Sequence, residues 1–342
     1  MNLKSSLVRP TVLSPRRSFS RIFIERAALE YPDTAAVCAR FPDAERVTID
    51  HYSEIMNRPH QAWRIQKRSQ ALVLAVRHDA FLYPMPAIVQ SVGSTPAFYN
   101  TPLLNCLYDC TYCYLQGMYG SANIVTFVNT EDFFDATSDK LAALGSLYLS
   151  LSYDTDLLGF EGILPLTRRW IEFASDKPGL TLEIRTKSAR FSALAGLAPN
   201  PNVILAWTVS PEPIVTRFEH RTASLEARLR NINAAITAGW SVRLAFDPVI
   251  WSPDWAAHYG ALIEQVTAAI PIEKLRDTTV GVFRMNGEFF KGLKRARPEA
   301  AFEYGALAVD SAGVATYPPE REAELREFIV QRLRATGALV HA

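Results

Sequence analysis

Apolar residues along this chain fall into two rhythms. Near the start, short unbroken apolar runs occur at Ile22-Phe23-Ile24, at Val47-Thr48-Ile49 and over 71–76, with a stretch at helical spacing over 27–41. Runs without alternation predict strands buried on both faces, as in parallel sheets. Residues 21–95 are therefore expected to form a small N-terminal α/β lobe. A basic tail over 1–20, with Lys4, Arg9, Arg16 and Arg17 and no acidic residue, precedes it.

Beyond Asn105 the pattern becomes a regular alternation. Strand-like runs over 147–153, 181–186, 203–209, 242–246 and 279–283 are separated by amphipathic stretches over 131–144, 163–175, 223–238 and 256–269. Ser224 suits the start of one helix and Gly239 its end. Strands alternating with helices imply parallel pairing through right-handed crossovers. With one more strand near residue 105, about six units result, fewer than the eight of a closed barrel. The expected architecture is α/β: a partial (β/α)6-type TIM barrel over 96–342, with a C-terminal extension.

Composition narrows the class only slightly. The chain is 49% hydrophobic and 21% charged, enough for a core and too apolar for global disorder. A formal charge of +1 excludes whole-molecule attraction to nucleic acid but not a local basic face. No apolar run is long enough for a membrane span, and the N-terminus lacks the apolar centre of a secretory signal. Three of the four cysteines crowd between positions 106 and 113, unlike a disulfide framework, so a cytoplasmic location is expected.

That crowding carries the chemistry. Asn105-Cys106-Leu107-Tyr108-Asp109-Cys110-Thr111-Tyr112-Cys113-Tyr114 has C-x3-C-x2-C spacing. One loop can bring three such thiolates onto a single centre. A [4Fe-4S] cluster takes one further ligand per iron, so three cysteines leave one iron open to a substrate. Structural zinc needs a fourth ligand from afar, and no histidine occurs between His78 and His220. A zinc-stabilised binding module without catalysis is the alternative that this weighs against.

C-x3-C-x2-C with an aromatic before the last cysteine resembles the signature of radical S-adenosylmethionine (SAM) enzymes. Tyr112-Cys113-Tyr114-Leu115-Gln116, followed by Val125-Thr126-Phe127-Val128-Asn129, is similar to the spore photoproduct lyase family, DNA-repair enzymes that split a methylene-bridged thymine dimer. The segment from Ile22 to Pro32, then Arg185-Thr186-Lys187 and Phe218-Glu219-His220-Arg221-Thr222, sit in matching order. The resemblance covers roughly residues 20 to 340. It implies a lyase that reductively cleaves SAM to a 5′-deoxyadenosyl radical and repairs a thymine-dimer-type DNA lesion. An external one-electron reductant such as flavodoxin or ferredoxin would supply the electron. Cys106, Cys110 and Cys113 would hold the cluster, Tyr112, Lys187 and Thr208 would contact SAM, and Tyr114 would serve in the radical relay.

One position departs from the family. Its well-studied members return the hydrogen atom from a cysteine just after the second barrel strand. Here that stretch is Ser150-Leu151-Ser152-Tyr153-Asp154-Thr155-Asp156. A serine O–H bond is too strong to substitute, which leaves Tyr153 or Tyr114 as donor, or a different substrate for the same radical machinery.

Arg284, Lys291, Lys294, Arg295 and Arg297 gather around Asn286-Gly287, a pair that suits a hairpin turn. They are the candidate phosphate contacts to DNA. Phe289 and Phe290 beside them suit either base stacking or the core. Asp154 and Asp156 read as a strand-end polar turn near the SAM pocket. His220 is expected to be structural or to orient substrate, Cys38 to be buried, and Trp207, Trp240, Trp251 and Trp255 to form core or pocket wall.

Overall fold

The computed structural model describes residues 18–89, 93, 95–151, 153–298 and 307–342. Arg16 and Arg17 of the expected tail lie outside them. Among the described residues the larger sheet has eight strands. In spatial order they are Tyr83–Pro84, Ala97–Tyr99, Leu147–Ser150, Leu180–Thr186, Val203–Thr208, Ser241–Val249, Asp277–Val282 and Val340–His341. From Ala97–Tyr99 onward every neighbouring pair is parallel. Neighbours in space are thus neighbours in sequence. The end strands do not pair with each other, so the barrel stays open, as expected.

The helices between the strands track the expected pattern closely. Leu225–Thr237 begins at Ser224, whose Oγ accepts from the Ala227 amide at 3.3 Å, and Gly239 just beyond its end takes φ 87°. Leu166–Phe173 is shorter than the expected 163–175. The stretch over 27–41 is not one helix: a short 3-10 turn over Arg26–Ala28 precedes a helix over Pro32–Arg40. Pro32 explains the break, because proline starts a helix well but cannot donate within one.

The smaller sheet runs Glu45–Ile49, Arg21–Glu25, Leu72–Ala75, Ile124–Phe127 and Leu103–Leu104. Its last two strands come from beyond residue 95, the expected limit of the lobe. The cysteine loop therefore hangs between two strands of the small sheet while facing the large one. Arg169 closes the two layers together, its Nη2 2.6 Å from Asp33 Oδ1. No helix among the described residues is long and apolar enough to cross a membrane.

Asn286-Gly287 does not turn a hairpin. Asn286 ends the strand Arg284–Asn286 and caps the helix Gly287–Ala296, its Oδ1 accepting from the Glu288 amide at 2.9 Å. Trp207, Trp240 and Trp255 are buried in the core, and Trp251 is half-buried beneath Arg321. Cys38 is buried, as expected.

Candidate active site

A cavity of about 720 Å3 opens at the C-terminal edge of the large sheet. This is the edge where barrel enzymes place their chemistry. Cys106, Cys110, Cys113, Tyr112, Tyr114, Tyr153, Lys187, Thr208 and Arg284 all line it. The structure thus brings together in one cavity wall the expected cluster, SAM and hydrogen-donor residues, which are widely spread along the sequence.

The loop is held from behind. Asn105 takes φ 67°, a left-handed conformation that asparagine tolerates, and its Nδ2 donates to the carbonyls of Ser121 and Asn123 at 2.8 and 2.6 Å. Asp109–Cys110 pairs antiparallel with Glu219–His220, and the Thr111 amide donates to Phe218 O at 2.8 Å. Cys113 N donates to Cys110 O at 3.1 Å, closing the turn between two of the cysteines. All three thiols are free. Burial raises their pKa values, that of Cys106 to about 11. Among the described residues no group of three or more His, Cys, Asp or Glu side chains is gathered closely enough to hold a metal ion as it stands.

The SAM-contact candidates differ in what they leave free. Tyr112 is buried and its hydroxyl donates to Glu219, which is itself paired with Arg228. Its ring lies 5.7 Å from the Lys187 ammonium. Thr208 is buried and its Oγ1 has no partner among the described residues. Asp156 holds the turn beneath Lys187, accepting from the Lys187 and Gly159 amides at 2.7 and 2.8 Å and from Thr186 Oγ1 at 2.8 Å. It is a structural cap, in keeping with a strand-end turn.

The tyrosines form a connected group. Tyr114 donates to the Tyr153 backbone carbonyl and sits 3.5 Å from Asp154 Oδ1. The ring of Tyr153 is 5.7 Å from that of Tyr114 and 4.2 Å from that of Tyr99. Asp154 also accepts from Tyr119 at 2.9 Å. Burial lifts the Asp154 carboxyl to about 6, although the Tyr119 and Tyr114 hydroxyls oppose the rise.

Two of the expected DNA contacts are placed elsewhere. Arg297 is buried against Asp109 and Gln116, where it braces the cysteine loop and cannot meet a phosphate. Arg284 is half-buried in the cavity wall, paired with Asp247 at 3.2 Å and bonded to Ile88 O at 2.7 Å. Lys291, Lys294 and Arg295 belong to the helix Gly287–Ala296, with Lys291 and Lys294 on its outer side. Phe290 is buried, while Phe289 lines the cavity 6.3 Å from the Tyr114 ring. His220 is exposed, and its neighbour Glu219 makes the buried contacts.

Several residues of the cavity wall carry no sequence signal that singles them out. Glu183 is one: burial alone would raise its carboxyl, but Arg185 and Arg243 hold it down to about 2. Asp247, bridging Arg185 and Arg284, is another. Arg185 shares the strand of Glu183, but Arg243 lies on another strand, and both partners of Asp247 lie on strands other than its own, so tertiary structure brings these pairs together.

An open parallel barrel with a three-cysteine loop over its C-terminal edge is the architecture of radical SAM enzymes. The family model described as "Spore photoproduct lyase" matches residues 18–298, and the chain belongs to that family. It is 25% identical to the spore photoproduct lyase of Bacillus subtilis over 268 residues, 75% of each chain. It is 22% identical to that of Clostridium acetobutylicum, over 73% of this chain and 74% of the relative. A solved spore photoproduct lyase variant, with bound AdoMet and dinucleoside spore photoproduct, superposes with a TM-score of 0.78 at 17% identity. The match covers 94% of this chain and 98% of the other. A second solved variant gives the same TM-score at 19% identity, over 94% and 98%.

Proposed function

We propose that this protein is a radical SAM lyase that repairs a thymine-dimer-type lesion in DNA, using a [4Fe-4S] cluster on Cys106, Cys110 and Cys113. The observation that carries this reading is that three free cysteines, Lys187 and the Thr208 hydroxyl, which has no partner among the described residues, line one cavity. The donor set fits the cluster: three soft thiolates from one loop, with room beside them for a ligand on the open iron. When bound, the cluster supplies the electron that splits SAM into methionine and a 5′-deoxyadenosyl radical.

The chain's own residues bind and orient. Lys187, at the end of a barrel strand, offers its cation to the SAM carboxylate. Thr208 Oγ1, buried and without a partner among the described residues, offers a hydrogen bond in the same wall. Tyr112, locked by Glu219, presents a fixed ring beside them. Tyr153 and Tyr114 are the candidate hydrogen-atom donors where the family has cysteine. Tyr153 lines the cavity, and Tyr114 anchors the backbone that carries it. Lys291, Lys294 and Arg295 would meet DNA phosphates, and a flavodoxin- or ferredoxin-class protein would deliver electrons.

The missing cysteine favours a second reading, the same radical machinery acting on another lesion or on a small molecule. One experiment separates them. The protein is reconstituted anaerobically with iron and sulfide, then incubated with dithionite, SAM and an oligonucleotide carrying the spore photoproduct. The lyase reading expects 5′-deoxyadenosine and restored thymine together, both lost in Cys113→Ala. 5′-Deoxyadenosine alone would move the search to another substrate. A colourless protein producing neither would sink the radical SAM reading.

A further inference from the structure

Four cationic side chains are buried among the described residues: Lys67, Arg228, Arg243 and Arg297. The three arginines each meet a carboxylate: Glu219 for Arg228, Glu183 and Asp277 for Arg243, and Asp109 for Arg297. Lys67 has no carboxylate at ion-pair distance among the described residues. Its ammonium donates instead to two backbone carbonyls of the cysteine loop, Cys106 O at 2.6 Å and Tyr108 O at 2.7 Å. Burying a charge without a counter-charge costs several kcal/mol even after relaxation. Neutral carbonyl oxygens offset only part of that.

The surroundings show where the missing negative charge belongs. Burial lowers the pKa of the ammonium, and negative charge on Cys106, Asp109, Cys113 or Cys110 acts against that loss of charge. Asp109 is already taken by Arg297, which leaves the cysteines beside the carbonyls that Lys67 holds. Trp63, whose ring lies 5.5 Å from Lys67 Nζ, packs with Leu115 and Ala122 against Cys106 and Cys113 and keeps this side apolar. Charges interact strongly across such a medium. The lysine is also fixed in place: Arg221 Nη1 donates to Lys67 O at 2.5 Å, and Gln70 donates to the same Cys106 carbonyl at 3.2 Å.

Resting on the cluster assignment above, we propose that Lys67 is the built-in counter-ion of the thiolate-ligated cluster and a positioning residue that raises its reduction potential. Net charge and hydrogen bonding set the potentials of iron–sulfur centres. The reduced cluster carries one more negative charge than the oxidised one, so a fixed cation beside it favours the reduced form. Lys67 would thereby bring the cluster within reach of a weaker electron donor, while leaving the iron site for SAM open.

The test is a redox titration monitored by electron paramagnetic resonance, on the full chain reconstituted as wild type, Lys67→Met, Lys67→Arg and Gln70→Met. The methionine variant is expected to shift to a clearly more negative midpoint, while the arginine variant stays near wild type. Gln70→Met, which removes a neutral donor to the same carbonyl, should shift far less. An unchanged midpoint in loaded Lys67→Met, or an equal shift in Gln70→Met, overturns the proposal and leaves Lys67 a neutral brace. If Lys67→Met does not load, Lys67→Gln replaces it under the same criteria. If neither neutral variant loads, loading of Lys67→Arg at the wild-type midpoint supports the need for positive charge, and its failure to load overturns it. A wild type that itself holds no cluster would instead refute the cluster assignment.

Discussion

The hydroxyl of Tyr114 donates to the backbone carbonyl of Tyr153 and approaches Asp154. Tyr114→Phe keeps the ring and removes that donor. SAM cleavage should persist, while repaired product falls about tenfold, the equivalent of one hydrogen bond of ~1.4 kcal/mol. Parallel assays of 5′-deoxyadenosine and thymine would show the split, and equal loss of both would refute a role confined to hydrogen return. Asp154 makes a pH prediction. Its carboxyl titrates near 6 in the folded chain because it is buried, above the unfolded value of about 4. The folded state therefore holds its proton more tightly. Stability tied to this group is present below pH ~4 and lost as pH rises through about 6. Asp154→Asn should flatten the melting temperature across that window, and should melt higher than wild type above it. At this scale the cysteines, Tyr112, Tyr114 and Lys187 stand out in the sequence as candidates because motifs mark them in order along the chain, while Thr208 is placed only by its approximate position. Lys67 carries no such mark, and Glu219, although within the matching segment over 218–222, does not reveal its contacts there, because both depend on carbonyls and hydroxyls far away in the chain.

The helix Gly287–Ala296 shows how one dipeptide serves two structures. Asn-Gly favours a two-residue hairpin, yet asparagine is equally good at capping a helix. The residues after Gly287 decide between them: apolar positions recur at helical spacing, with Phe290 and Leu293 buried. This leaves Lys291 toward solvent, and places the Lys294 ammonium over the Phe290 ring at 4.7 Å. Replacing Lys294 and Arg295 together with alanine should weaken duplex binding and reduce the slope of log affinity against log salt by roughly 2, about 0.9 for each phosphate no longer neutralised. Fluorescence anisotropy across a salt series would measure it, and an unchanged slope would make the face ordinary solvated surface. Arg297, just past the helix end, faces the cysteine loop and is not part of this surface.

Across the whole molecule, the two ends of the site are joined by close backbone contact as well as by the Arg297 side chain. A Cβ on Gly117, just after the cysteines, would lie 1.8 Å from the carbonyl oxygen of Phe289, and one on Gly292 would lie 2.7 Å from Gly117 Cα. The turn Leu115–Met118 and the helix Gly287–Ala296 therefore touch where neither has a side chain. Gly117→Ala should displace the helix and cost roughly 1–3 kcal/mol or more, and should separate the Phe289 and Tyr114 rings. Thermal unfolding and Phe289 accessibility would read it, and wild-type stability would mean that the seam is loose.

Local pattern determined much of this protein. The strand and helix alternation, the open barrel and the cysteine spacing depend on residues close in the chain, where periodicity and turn chemistry act directly. The lobe boundary, the burial of Arg297 and the place of Lys67 behind the cysteines were decided by tertiary structure. In each case distant elements share an interface. Burial and counter-charge are properties of that shared space, and a linear pattern carries them only where a motif has already gathered the partners.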